Sequence, residues 1–302
     1  MAHALELVSE CAILRDHPIL TFQEGKYSFR IERKGEQSIY TVSDGRQQIS
    51  VPIGWAFGLG VAGQTYVFQK DGQFYQTRVS YFHEINGLDL TLGAQNIKPA
   101  NIADAAGMLM GRDEKVACFG CHSTDARQGV QLTLDTMKPG IQCERCHGPT
   151  EHHLDGIQRG DPKLAEMKSL KSLSTEQLST FCGQCHRTWE QIAVSGKLGI
   201  VDVRFQPYRL TNSKCYDTDD SRISCLACHD PHQEINRNDA AYDSKCQACH
   251  AGGKPNARAC PRSRDREGAA TSPAPGSPAL NQIVPSHDRK GAATSPAPGS
   301  PA

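Results

Sequence analysis

Ten of the thirteen cysteines fall in five close pairs, and a histidine follows each pair at once: Cys118-Phe-Gly-Cys121-His122, Cys143-Glu-Arg-Cys146-His147, Cys182-Gly-Gln-Cys185-His186, Cys225-Leu-Ala-Cys228-His229 and Cys246-Gln-Ala-Cys249-His250. With 12 histidines in 302 residues, five such successions arise by chance about once in ten million, so the histidine belongs to the motif. The spacing is that of c-type haem attachment. Two thiols add to the two haem vinyl groups, and the adjoining imidazole reaches the iron as proximal ligand. Five motifs therefore imply five covalently attached haem c groups, held by the ten cysteines, with His122, His147, His186, His229 and His250 on the irons. Zinc ribbons also use C-x-x-C pairs, but a zinc tetrahedron has no need of a histidine after every second cysteine. A thioredoxin-like site needs one such pair at a helix start within a βαβ unit. Plain disulfides are open only to a chain without haem, because thioether formation consumes the thiols.

Successive proximal histidines lie 25, 39, 43 and 21 residues apart, too irregular for a solenoid and too close for five domains. The cofactors must share one body, in which porphyrins fill space that leucine and phenylalanine fill elsewhere. An iron closed by histidine on both faces suits electron transfer, whereas an open face permits substrate chemistry. The candidate distal ligands are His3, His17, His83, His152, His153 and His232. Since His152 and His153 are adjacent and compete for one iron, about five histidines face five irons, as a mostly bis-His set requires. Met108 and Met110 are further candidates, and His287 falls in the tail.

Cys143-Glu-Arg-Cys-His147-Gly-Pro-Thr-Glu-His152-His153 and Cys225-Leu-Ala-Cys-His229-Asp-Pro-His232 resemble motifs of the multihaem c-type cytochromes related to cytochrome c-554 and the doubled C-x-x-C-H proteins. The resemblance covers about residues 105–252. It implies short helices and loops around packed haem pairs, electron exchange with partner enzymes, and a distal role for His152 or His153 and for His232 on a neighbouring haem. It also implies a periplasmic or otherwise extracytoplasmic location, where haem is joined to such motifs. Pentahaem nitrite reductases resemble the chain in haem number, but their catalytic motif ends in lysine, and none does here. Met1-Ala-His3-Ala-Leu resembles a segment that follows an upstream haem motif, so a truncated start is expected, with a signal peptide and another haem lost. Residues 1–20 themselves lack the charged start and apolar run of a signal peptide.

The elements that must position these motifs are read from the remaining pattern. Alternation in Tyr27–Ile31, Ile39–Val42, Ile49–Ile53, Tyr66–Phe68 and Phe74–Val79, with turns at Asp44-Gly45 and Asp71-Gly72, predicts a small antiparallel β meander. Asn86-Gly87 through Pro99 reads as a linker. Short helices are expected ahead of Cys118 and over Pro162–Leu173, and Ser174 is expected to cap the helix that delivers Cys182. The expected fold class is α+β: an N-terminal β-rich domain over residues 1–100, then a pentahaem region over 101–255 made mostly of helix and loop, with little regular secondary structure. A disordered tail over 256–302 carries a Gly-Ala-Ala-Thr-Ser-Pro repeat with a period of 23. It is too poor in apolar residues to order itself.

Only 38% of residues are hydrophobic and 6% aromatic, with a mean hydropathy of -0.51, so little apolar core is expected. Thirty-three basic residues balance 33 acidic ones, which gives no basic surface for nucleic acid. No apolar run reaches the length of a membrane span. Residues 101–255 hold 18 Lys plus Arg and 20 Asp plus Glu. Haem propionates would make that surface acidic, with Arg204, Arg209, Lys214 and Arg222 as candidate partners for them. Cys11, Cys215 and Cys260 are left over as structural thiols or disulfide halves. The expected function is electron transfer through five mostly bis-His haems to and from redox partner proteins, with association with other cytochromes possible. The alternative is an oxidoreductase acting on a small nitrogen or sulfur compound at one open haem.

Overall fold

Period-two alternation governs the first hundred residues. In strand β3 (Tyr27–Lys34), Tyr27, Phe29 and Ile31 point inward between Ser28, Arg30 and Glu32, and in β4 (Gln37–Ser43) Ser38, Tyr40 and Val42 do the same. The computed structural model describes residues 1–195, 206–213, 216 and 223–250. Its largest element is a nine-stranded antiparallel sheet in which β2 (Ile19–Glu24), β3, β4, β5 (Gln48–Phe57), β6 (Gln64–Lys70), β7 (Gln73–Phe82) and β8 (Gly87–Leu90) lie side by side in chain order. Two short strands extend it: β1 (Leu5–Leu7) pairs with the end of β5, and β9 (Gly107–Leu109) with the start of β7. Helix α1 (Ala12–Asp16) packs Ile13 and Leu14 into the same core. The turn at Asp71-Gly72 is a two-residue type I′ hairpin bracketed by the Lys70–Gln73 pair, with φ of 50° and 73°.

The first and last strands of this order, β2 and β8, come back into contact, so the sheet is a nearly closed barrel. A buried ion pair fastens the seam. Arg78 on β7 donates from Nε and Nη2 to the Glu24 carboxylate at the end of β2 (2.6 and 2.7 Å) and from Nη2 to the Ile97 carbonyl (2.7 Å). The interior is aromatic, with Phe29, Tyr40, Tyr66, Phe68 and Tyr81 packed together.

The small meander is thus corrected to a large, nearly closed barrel. All five predicted strands occur; the four that were missed carry weak patterns. Strands β1 and β9 have three residues each and β8 has four, while β2 exposes Ile19 and only half-buries Phe22 on its inward face. The stretch read as a linker from Asn86 contains β8. The expectation of a meagre apolar core fails here too, because whole-chain composition hid a concentration: 12 of the 19 aromatic residues lie within residues 1–100.

Beyond the barrel the chain is built of short helices: α2 (Ile102–Ala106), α3 (Arg112–His122), α4 (Cys143–His147), α5 (Glu151–Arg159), α6 (Thr175–His186), α7 (Trp189–Ser195), α8 (Gln206–Thr211), α9 (Cys225–Cys228) and α10 (Asp243–His250). Asn101 caps α2, and Ser174 with Gln177 forms a capping box at α6, which fixes where that helix starts. The helix expected over Pro162–Leu173 does not form beyond one 3₁₀ turn at Leu170–Ser172. Instead the Asp161 carboxylate accepts from the backbone of Lys163 and Leu164, a local bond that competes with helix. The segment then tucks against Gly156 of α5, where even a Cβ would collide with the Ala165 backbone.

Candidate haem-attachment sites

All five motifs are helical. Cysteines three apart lie one turn apart on the same helix face, and a histidine four beyond the first falls on that face as well. Motif 1 closes α3, motif 3 closes α6, motif 2 is the whole of α4, and motif 4 is α9 with His229 leaving it in extended backbone. Motif 5 ends α10; the side chains of Cys246, Cys249 and His250 lie outside the described residues.

Motif 1 is bolted to the barrel. Phe119, between its cysteines, is fully buried and meets Trp55, Phe57 and Phe74 edge-on at 5.3, 5.0 and 5.8 Å between ring centroids. Leu5, Val67, Met110 and Ala126 complete this second core, and Cys118 packs against it. Burial pushes the Cys118 thiol up to about 11. Met110, a candidate axial ligand by sequence, is enclosed in this apolar cluster.

The ring nitrogens suit iron binding. His122 donates Nδ1–H to the Ala4 carbonyl (2.9 Å) and His147 donates its own to the Lys168 carbonyl (2.7 Å). A carbonyl only accepts, so the proton sits on Nδ1 and the Nε2 lone pair is left for a metal, the arrangement that outer-shell partners impose on ligating histidines. His153 is held the same way by the Ala165 carbonyl. The donor set therefore fits haem c: paired thiols on a helical turn, then an imidazole of fixed tautomer.

Thiols of different motifs touch. The Cys121 thiol hydrogen-bonds to the Cys185 sulfur, which holds Cys121 well above the ordinary thiol range and brings Cys185 down to about 6, with Arg145 helping at 4.0 Å. Cys182 bonds likewise to Cys225 and lowers it to about 7. The His186 imidazole is held below its usual range by desolvation and by the charges of His229 and His122. Among the described residues no three His, Cys, Asp or Glu side chains converge as a metal-ion site. Arg145 and the carbonyls of Ala4 and Lys168 escaped the sequence reading, because nothing in their type marks a backbone acceptor or a thiol partner across the fold.

The candidate distal histidines separate into groups. His232 lies beside a motif, its ring 5.8 Å from that of His147 and within 7° of parallel, while Asp230 holds its backbone N–H at 2.9 Å. His152 and His153 stand on α5, the former exposed and the latter half-buried. His17 and His83 both flank Tyr81 of the barrel at 5.0 and 5.3 Å, with the Tyr81 hydroxyl 3.1 Å from His17 Nε2. His3 is exposed and pairs with Glu6 at 2.9 Å. Arg209 lies over the Tyr208 ring. Arg204, Lys214, Arg222, Cys215, Cys260, His287 and the tail lie outside the described residues.

Residues 89–148, from the last barrel strands through motif 2, match the family of cytochrome c554 and c-prime. The chain is also similar to the multiheme cytochrome MtrA of Shewanella baltica (strain OS185), 23% identical over 176 residues, which is 45% of this chain and 52% of that protein. This chain is related to the multihaem c-type cytochromes. It spans about half the length of the curated relative it matches. No solved structure matches it. The relationship supports covalently bound haem c and electron transfer as the coarse function. Among the described residues no helix is long and apolar enough to cross a membrane.

Proposed function

We propose that this chain is an electron-transfer cytochrome with five covalent haems, one at each C-x-x-C-H motif, most of them closed by histidine on both faces. The carrying observation is the packing of α6 against α3 and α9, with Cys121 Sγ 3.7 Å from the Gln184 carbonyl, which brings the attachment points of motifs 1, 3 and 4 together. The cofactor, when bound, supplies one-electron exchange between ferrous and ferric iron. The chain's own part is to hold each proximal imidazole in one tautomer through Ala4 and Lys168, and to offer a second imidazole on the far side. His232, whose ring lies near and nearly parallel to that of His147, would supply a second imidazole to a haem there. His153 is a second distal ligand, because its Nδ1 is engaged and its Nε2 free. His17, His83, His3 and His152 complete the candidate set. The partners are redox proteins, other cytochromes among them, and the location is periplasmic or extracytoplasmic.

The test is maturation of the full chain in a host with a haem-attachment system, followed by a pyridine haemochrome count and electron paramagnetic resonance. Five covalent haems, essentially all low-spin, support the carrier reading. A high-spin fraction that binds nitrite or hydroxylamine turns the function to an oxidoreductase. Absence of covalent haem overturns the reading.

A further inference from the structure

The motifs do not adjoin in the order in which the chain writes them. Helix α6 touches both α3 and α9, and the two sulfurs of its motif serve different neighbours. Cys185 meets Cys121 of motif 1, while Cys182 meets Cys225 of motif 4. The Cys121 Sγ also lies 3.7 Å from the Gln184 carbonyl inside motif 3. Arg145, between the cysteines of motif 2, reaches Cys185 of motif 3 at 4.0 Å and acts on Cys121 of motif 1 by charge alone. The packing of α6 against α3 and the 3.7 Å contact of Cys121 with the Gln184 carbonyl leave no room for another motif between motifs 1 and 3.

We infer that motif 3, Cys182 to His186, is the junction of the electron route, with motifs 1, 2 and 4 each adjoining it, and that motif 1 passes electrons to motif 3 without motif 2 in between. The inference rests on the proposed haem occupancy of the motifs. Its physical basis is the α6 capping box, which sets the helix start and so holds Cys182 and Cys185 one turn apart along one face, each level with a different neighbour. A route in chain order would run 1, 2, 3, 4; the junction replaces the 1–2 step by a 1–3 step and makes motif 2 a side branch.

The experiment compares two variants of the full matured chain, C143A/C146A and C182A/C185A, with haem content and barrel circular dichroism as controls. The ferric resonance of the motif 1 haem, identified by its loss in C118A/C121A, is read for broadening by a neighbouring iron. The expected result is that this broadening persists in C143A/C146A and is lost in C182A/C185A. The reverse pattern overturns the junction and restores a chain-order route. If C182A/C185A does not fold, H186M keeps the attachment and raises the potential of the motif 3 haem. The midpoints of the motif 1 and motif 4 haems should then shift, and unchanged midpoints overturn the inference. A parent chain without covalent haem refutes the occupancy instead of the junction.

Discussion

The imidazole of His122, at the end of the first haem motif, is held by the backbone carbonyl of Ala4, 118 residues earlier in the chain. The same carbonyl accepts from Gly58 N–H on the barrel at 2.9 Å. The proposed first proximal ligand is therefore oriented from the barrel side, outside its own helical module. Outer-shell acceptors raise imidazole basicity, which favours ferric iron. Deleting residues 1–4 is expected to move the midpoint of one haem to a more positive potential and leave the others in place, as read by spectroelectrochemical titration.

Phe119 binds no cofactor atom, yet its full burial among Trp55, Phe57 and Phe74 joins the two halves of the molecule. Phe119→Ala should cost about 3–5 kcal/mol, the usual range for emptying such a site. Denaturant unfolding of the matured protein would show the loss, with the haem count unchanged.

Glu24→Gln strands the Arg78 guanidinium inside the barrel seam. Breaking a buried pair costs about 3–5 kcal/mol; the lower end is expected, since the Glu24 side chain keeps 29% of its exposure. Thermal unfolding followed by the strand signal in circular dichroism is the check.

Cys11, fully enclosed beside Gln64, is pushed up to about 11, chiefly by burial. The folded state thus prefers the protonated thiol, and unfolding releases its proton between pH 9 and 11. Stability contributed by this group is complete below pH 9 and falls as pH rises through that window, by up to about 2–3 kcal/mol. Iodoacetamide should leave Cys11 unlabelled at pH 8 in the folded protein and label it after denaturation, as peptide mass spectrometry would reveal.

His232→Ala should retain all covalent haem and convert one low-spin iron to high-spin. An unchanged spin state would show that His232 serves no iron.

The attachment motifs were legible because covalent chemistry fixes both residue type and spacing, and local bonding made the Ser174 cap and the Asp71-Gly72 turn equally plain. The barrel was half legible. Strands whose two faces differ, such as Tyr27–Lys34, announce themselves, whereas β1, β8 and β9 are too short to show a period and exist because longer strands offer them an edge. Closure through Arg78 and Glu24 was invisible, since it joins residues 54 apart by charge rather than pattern. The thiol contacts between motifs were hidden for the same reason: which helix meets which is decided by packing across the fold. The helix misplaced at Pro162–Leu173 lost to a side-chain bond from Asp161.

The barrel possesses an aromatic core of its own, and it supplies Trp55, Phe57, Val67 and Phe74 to the face that receives Phe119. The barrel thereby fixes where motif 1 sits, so the C-terminal half is anchored to it through its first motif.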